Sequence, residues 1–466
     1  MTNLQFDTII RGGTVVAPTG TGTADVGIRN GRIAEVKENL SGTAAHEIDA
    51  SGLLVLPGGV DTHCHIEQIS GAGLLNADTF ETATRSAAFG GTTTVVSFAA
   101  QHPGQRIATV VSDYAKLARK GALTDYAFHM IVAETGNGNL AEDIPALIDE
   151  GHRSIKIFTT YDKVRLDDKS ILDILDVARD KGALVCFHAE NDGIIRNATE
   201  KLLTAGKTAP KYHADSHPRE AEIEAIDRMC RFAEYTGTRI MIFHVSTREG
   251  AEIVRRARAR GVPVEAETCP HYLFMTVDIL ESEAPARFLC SPPQRHIDDQ
   301  EALWSALADG TLQLVTSDHA PYRMDATGKF VHGTDVPFNR IANGMPGLET
   351  RLPLMFDAMV TRGRASIEAF VNATATAPAR AFGLTTKGQI SPGFDADIAI
   401  WDPAQSHTYG ANDLHDNVGY NPYEGTTVTG LPVQVLSRGR TLIEGGALVA
   451  SPGCGEWLPM QAHPLP

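Results

Sequence analysis

The sequence predicts an α/β protein: a (β/α)8 TIM-like barrel with a β-sandwich domain formed by both chain termini. Three observations predict it. Strand patterns with tight turns occupy both ends of the 466-residue chain. Between them, apolar β-branched runs recur eight times, alternating with helical patterns. Histidine and aspartate recur where those runs end, which is where the site of such a barrel lies.

The first fifty residues hold FDTIIRGGTVV, ADVGIRNGRIAEV and a third stretch around residues 46–48. Their alternation, with Gly and Asn-Gly turns between, marks short strands. Beyond Lys387, ISPGFDADIAIWD and VQVLSRGRTLIEGGALVA read the same way, broken by Pro-Gly and Gly-Gly. The economical reading is one small β-domain built from residues 1–56 and 386–450, with a barrel over 57–385 inserted between. The eight apolar runs lie at 53–60, 92–98, 126–132, 154–158, 184–187, 239–243, 262–267 and 312–316. Helical periodicity fills the intervals, for example at 112–120, 171–181, 219–236 and 249–260. Residues 451–466 are Pro-rich and are expected as an extended tail on the surface.

Hydrophobic residues make up 42% and charged residues 21%, an ordinary globular balance that supports a large core. The formal net charge of −16 argues against nucleic acid and anionic membrane surfaces as partners, since both favour basic patches. Six scattered cysteines form no CxxC pair, which suits reduced thiols and a cytoplasmic location. The N-terminal MTNLQFDTIIRGG lacks the basic and apolar regions of a signal peptide. No run of about 18 apolar residues marks a membrane span.

The first barrel run leads into GGVDTHCHIE. His63 and His65 are two apart, so on an extended segment they share a side, and two imidazoles there can share one cation. Cys64 faces the other way as a packed thiol. The fifth run ends at His188 in FHAEN, the sixth at His244 in FHVS, and the eighth at Asp318 in TSDHAP. Each alone is an ordinary polar residue at a strand end. Five such residues at the C-terminal ends of four strands make a metal site. The fourth run contributes Lys156, within SIKIFTTY. A lysine inside an apolar strand is costly. It either pairs with a carboxylate or snorkels outward, or its amine is carboxylated by CO2 and becomes an oxygen ligand able to bridge two cations.

Together LPGGVDTHCH, FGGTTTVV, KIFTTY, FHAEN, CSPPQR, TSDHAPY and NGMPGLE resemble the amidohydrolase superfamily, and within it the hydantoinase/dihydropyrimidinase family. The likeness runs from RGGTVV near the N-terminus to RGRTLIEGG near the C-terminus. It implies a hydrolase that opens a small-molecule cyclic amide, of hydantoin or dihydropyrimidine type, to an N-carbamoyl amino acid, and it implies a homotetramer. It further implies two Zn2+ per subunit. His63 and His65, with Asp318, would hold the more buried ion, and His188 and His244 the more exposed one. N6-carboxylated Lys156 would bridge both. Asp318 would also carry the proton, and Tyr161 would stabilise the oxyanion. Ser291 and Asn343 match positions whose backbone groups hold the ring, although Ser-Pro and Asn-Gly by themselves read as turns.

The chain departs from the family after the second histidine. The loop HIEQISGAGLLNADTF carries Gly71, Ala72 and Gly73 where the family usually carries bulk. Glu67 stands where Asp or Gln is usual, as a loop-anchoring acceptor or a substrate contact. SFAAQH lacks the usual acidic residue after the second run. A less bulky pocket would admit a cyclic imide, making the protein an imidase, or a large 5-substituent on a hydantoin. Glu67 argues against a dihydroorotase, which carries Arg there, and against an allantoinase, which usually carries Asn. Six filled ligand positions argue against the non-catalytic assembly proteins of this fold, the neuronal collapsin response mediator proteins. Lys156 argues against a one-metal deaminase.

Overall fold

The computed structural model describes residues 5–71 and 73–462. Strands from the two ends of the chain join one nine-stranded sheet. They are β1 (Phe6–Ala17), β2 (Gly20–Arg29), β3 (Arg32–Lys37), β4 (Ala44–Asp49) and β5 (Leu54–Pro57) from the N-terminal end. A second group of eight strands follows: β6 (Gly59–Cys64), β7 (Thr92–Ala100), β8 (Asp125–Ile131), β9 (Ser154–Phe158), β10 (Leu184–His188), β11 (Ile240–Ile242), β12 (Val264–Thr268) and β13 (Leu314–Val315). The C-terminal end returns with β14 (Ile398–Thr408), β15 (Thr427–Ser437), β16 (Arg440–Glu444) and β17 (Ala447–Leu448).

In the terminal sheet the order is β17-β16-β15-β14-β5-β1-β2-β3. Strand β1 is long enough to pair in parallel with β4 along its first half and with β5 along its second, so the sheet divides there. The antiparallel pairing of β14 with β5, Ile400 opposite Val55, joins the two chain ends. Ile10, Val26, Val55, Ile398 and Leu436 form the buried core of this β-sandwich.

The eight strands β6 to β13 run parallel in sequence order. Closure comes from a parallel bridge between Cys64 and His319. Asp61 reinforces it: its Oδ1 accepts the amides of His63 and Ser317, each at 3.2 Å, and Oδ2 meets buried Arg351 at 3.2 Å. Val60, Phe98, Ile131, Cys186, Met241, Phe243 and Leu314 pack in one cluster at the barrel centre. Local sequence explains the surrounding helices. In Asp168–Lys181, Ile171, Ile174, Leu175 and Ala178 fall at helical spacing and are the buried face. Asp167 caps the start by accepting from Ser170 N, and left-handed Gly182 ends it.

Two expectations are corrected. The run at 53–60 is not one barrel strand. Leu54–Pro57 belongs to the terminal sheet, and the first barrel strand begins at Gly59. Gly58 makes the crossing possible, because a Cβ there would stand 2.2 Å from Thr93 Oγ1. The tail does more than lie on the surface. Residues 456–458 hydrogen-bond to Tyr126 at the start of β8, and Met460 is buried with Phe382 and Leu384 beneath the barrel. Ala72 and residues 463–466, also expected as loop and tail, lie outside the described residues.

Candidate metal centre and active site

All nine residues singled out by sequence line one cavity of about 580 Å³ at the C-terminal ends of the barrel strands: His63, His65, Lys156, Tyr161, His188, His244, Ser291, Asp318 and Asn343. The tightest group is His63, His244 and Asp318, with donor atoms all within 4.8 Å of one another. Asp318 Oδ1 lies 3.0 Å from His63 Nε2 and 3.6 Å from His65 Nε2. The His188 and His244 rings are 4.6 Å apart, edge to face. Lys156 Nζ lies 4.1 Å from the Phe243 ring and 4.9 Å from that of Phe158, with no carboxylate within ion-pair distance among the described residues.

Three of the four rings are held from behind. His63 Nδ1 meets Glu267 Oε1, His65 Nδ1 meets Gln68 Oε1 at 2.8 Å, and His188 Nε2 meets Glu190 Oε2 at 2.7 Å. The His65 ring also stacks on Phe98 with centroids 4.4 Å apart. Three lining residues sit at positive φ: Tyr161 at 74°, His244 at 42° and Asp318 at 46°. Side-chain-bearing residues seldom adopt that region, and such strain costs of order 1–3 kcal/mol per residue. The scaffold fixes them there. His319, next to Asp318, shows how: Asp78 takes its Nε2 at 2.9 Å, Gly347 N donates to its Nδ1, and its carbonyl accepts from His65 N.

Burial pushes His65, His188 and His244 below the usual imidazole range, so their nitrogens keep lone pairs. Burial also opposes the charge on Asp318, yet the neighbouring His63 holds that carboxyl well below the ordinary range. Desolvation drives the Lys156 amine down to about 8. It raises the Tyr161 phenol above 10, which keeps it a hydrogen-bond donor. Beside them, against the opposing pull of burial, Asp318 and Glu267 hold the His63 imidazole above the usual range. The donor set fits a divalent cation: three imidazoles that burial keeps neutral, a fourth that gives up its proton to a metal, one ionised carboxylate, and a His244 Nδ1 that is buried with no hydrogen-bond partner among the described residues.

Ser291 and Asn343 meet each other, Asn343 Nδ2 donating to Ser291 Oγ at 3.1 Å. Asn343 Oδ1 is buried without a partner among the described residues, and Asn343 lines the same cavity. Gly344 permits this turn, because a Cβ at its φ of 143° would stand 2.4 Å from the Ala320 carbonyl. Glu67 anchors its loop: Oε2 accepts the amide of Phe80 at 3.0 Å, and the side chain does not line the cavity. Gln68 takes the inward position instead. Gln101, in the departing SFAAQH segment, is spent on the amides of Ala133 and Glu134.

Sequence reasoning missed the supporting acids and two histidines. Glu267 ends the seventh run and Glu190 follows His188 by two, so strand-end position could have found both. His213 and His217, whose Nε2 atoms lie 3.4 and 3.5 Å from Ser291 Oγ, sit in a helical insertion that carries no such signal.

Known proteins resemble this chain along nearly its whole length. Residues 54–442 match the amidohydrolase family. The chain is 39% identical over 456 residues to the D-hydantoinase of Rhizobium radiobacter, covering 97% of this chain and 98% of that protein. It is 38% identical over 454 residues to the D-phenylhydantoinase of an Escherichia coli strain, covering 97% of each. Among solved structures, dihydropyrimidinase from Brevibacillus agri superposes with a TM-score of 0.95 at 36% identity, covering 98% of this chain and 100% of that one. Among the described residues no helix is long and apolar enough to cross a membrane. The chain belongs to the amidohydrolase family, in its hydantoinase/dihydropyrimidinase group.

Proposed function

We propose that the protein is a metal-dependent hydrolase that opens a cyclic amide ring of hydantoin or dihydropyrimidine type to an N-carbamoyl amino acid. One observation carries the reading: four imidazoles, Asp318 and Lys156 line a single cavity in a chain that matches D-hydantoinases over nearly its whole length. The relatives favour this reading over an imidase, an allantoinase or a non-catalytic assembly protein. The scattered cysteines extend it to a cytoplasmic protein, and the family resemblance to a homotetramer.

In this reading His63, His65, His188, His244 and Asp318 would hold two Zn2+, with N6-carboxylated Lys156 as a further oxygen ligand. The support for carboxylation is a buried amine with no carboxylate within ion-pair distance among the described residues. Adding CO2 and releasing a proton converts that amine into an anionic oxygen donor. Bound zinc supplies Lewis acidity and lowers the pKa of water to roughly 7.

The chain's own groups supply the rest. Ser291 and Asn343 present backbone groups that orient the ring amide. Water adds to the ring carbonyl carbon, and Tyr161, held protonated by burial, donates a hydrogen bond to the oxyanion. One such donor is worth about 3 kcal/mol in acyl-transfer sites. Asp318 takes the proton from the attacking water and delivers it to the ring nitrogen as the C–N bond breaks.

A zinc-loaded sample assayed on hydantoin, 5-phenylhydantoin, dihydrouracil, succinimide and allantoin tests the reading. Hydantoin or dihydrouracil rings open to N-carbamoyl products. Closed rings across the whole panel overturn the proposal, and faster opening of succinimide than of either hydantoin moves it to an imidase.

A further inference from the structure

Lys329 is a second fully buried lysine, and the mechanism above gives it no task. It lies on the segment that leaves β13 and returns past the cavity to Met345. Local sequence turns it inward. A Cβ at Gly328 would stand 2.3 Å from the Arg323 carbonyl oxygen, and Lys329 N donates to that same oxygen at 2.8 Å. Asp325 staples the turn, its Oδ1 accepting from Thr327 N at 2.7 Å.

The Lys329 Nζ then crosses to the returning limb and donates to the Ala342 carbonyl at 2.9 Å, its one hydrogen-bond partner among the described residues. No carboxylate pairs with it there. Burial lowers the amine to about 7, and in either charge state it keeps N–H bonds to donate. Carboxylation does not suit this lysine as it suits Lys156. Its nitrogen already has an acceptor, and a carbamate would set an anion against a carbonyl oxygen.

The acceptor belongs to the peptide that joins Ala342 to Asn343. That unit is planar and trans, so its N–H points away from its C=O. With the carbonyl fixed on Lys329, Asn343 N faces away from the buried amine, and it donates to no acceptor among the described residues. Gly344 N is engaged by the Leu289 carbonyl at 2.8 Å, which holds the turn from its other end. Ala342, Asn343 and Gly344 all line the active-site cavity. A hydrogen bond to a peptide oxygen polarises the unit and strengthens its N–H as a donor.

We propose that Lys329 is a positioning residue: through the Ala342 carbonyl it orients and polarises the Asn343 N–H, which donates to the ring carbonyl that survives in the N-carbamoyl product. The inference rests on the ring-opening reading and adds how the ring is recognised from behind the cavity wall.

The test is steady-state kinetics of the metal-loaded full chain, of Lys329→Met and of Lys329→Gln. The substrates are hydantoin and 2-thiohydantoin, whose sulfur replaces that carbonyl oxygen and accepts hydrogen bonds weakly. Lys329→Met raises KM for hydantoin roughly three- to tenfold, the range a single hydrogen bond supplies. It leaves kcat within about twofold, since the contact holds ground state and transition state alike. Lys329→Gln keeps an N–H donor and recovers part of the KM. Sulfur raises KM in the native chain, and this penalty shrinks in both variants, most in Lys329→Met. A merely structural lysine would not produce that coupling. An unchanged KM for hydantoin in Lys329→Met overturns the inference, as does a fall in kcat alone or an equal sulfur penalty in native chain and variants. If Lys329→Met does not fold, the sulfur penalty in Lys329→Gln decides. Failure of the native chain to open hydantoin is the distinct result that removes the ring-opening reading and this inference with it.

Discussion

Glu267 accepts a hydrogen bond from His63 Nδ1 where neither side chain reaches solvent. The contact turns the opposite nitrogen of the ring, Nε2, toward Asp318 at 3.0 Å. The same Glu267 oxygen accepts from His244 N at 3.4 Å, so one carboxylate spans two of the three residues in the tightest donor group. Carboxylates behind metal-binding histidines fix the tautomer and raise basicity.

Glu267→Gln keeps the volume and removes that charge. Metal affinity, measured by competition with a chelator, falls roughly 10- to 100-fold while the far-ultraviolet circular dichroism spectrum is unchanged. Unaltered affinity removes the positioning role.

Lys156→Met exchanges a buried amine for a side chain of similar length. Turnover is lost, and in the metal-free, uncarboxylated protein Tm stays level or rises, because no buried amine remains to be accommodated. Labelling with 13C-bicarbonate gives one carbamate carbon signal in the native protein and none in the variant. An active Lys156→Met protein contradicts the bridging role.

Lys387 secures the sandwich to the barrel. Its Nζ lies 2.6 Å from Asp125 Oδ2 at the start of β8, 2.7 Å from Asp397 and 3.2 Å from Asp395, and all four residues are buried. Lys387→Met leaves Asp397 without a cation, and Asp125 and Asp395 with only their longer contacts to Arg438 and Arg32. Breaking a buried pair in this way costs about 3–5 kcal/mol, read as a lower urea midpoint. Ring opening per folded chain stays unchanged, since the cluster lies at the barrel end opposite the site. An unshifted midpoint contradicts the clasp.

Asp416 sits close to the like-charged Asp78. Burial first, and then that neighbour, push its pKa up to about 7. Between pH 4 and 7 the folded chain therefore keeps a proton that the unfolded chain releases, so stability falls as pH rises through this window. Asp416→Asn, which can still accept from Val418 N, raises Tm by several degrees at pH 8 and has little effect at pH 4. An equal shift at both pH values contradicts the assignment.

The barrel and its site were legible because both depend on short-range pattern. Parallel strands buried on both faces leave apolar runs, and side chains at their ends must face the cavity, so His188, His244 and Asp318 announce themselves. The boundary at Gly58 was not legible, because residues 53–60 form one unbroken apolar run and only the close approach to Thr93 divides it. Met460 was hidden by a Pro-rich context, its burial depending on the floor of a barrel assembled from distant residues. The inward turn of Gln68 rather than Glu67 depends on the amide of Phe80, a helix start thirteen residues away that composition does not reveal.

The central claim, metal-dependent opening of a cyclic amide, is tested most directly by stripping the protein with a chelator and titrating Zn2+ back while following hydantoin or dihydrouracil opening. The account predicts that activity disappears on stripping, returns with added zinc and saturates at two ions per chain. Ring opening that survives complete removal of metal, or a protein that binds two ions and opens no ring, would contradict it.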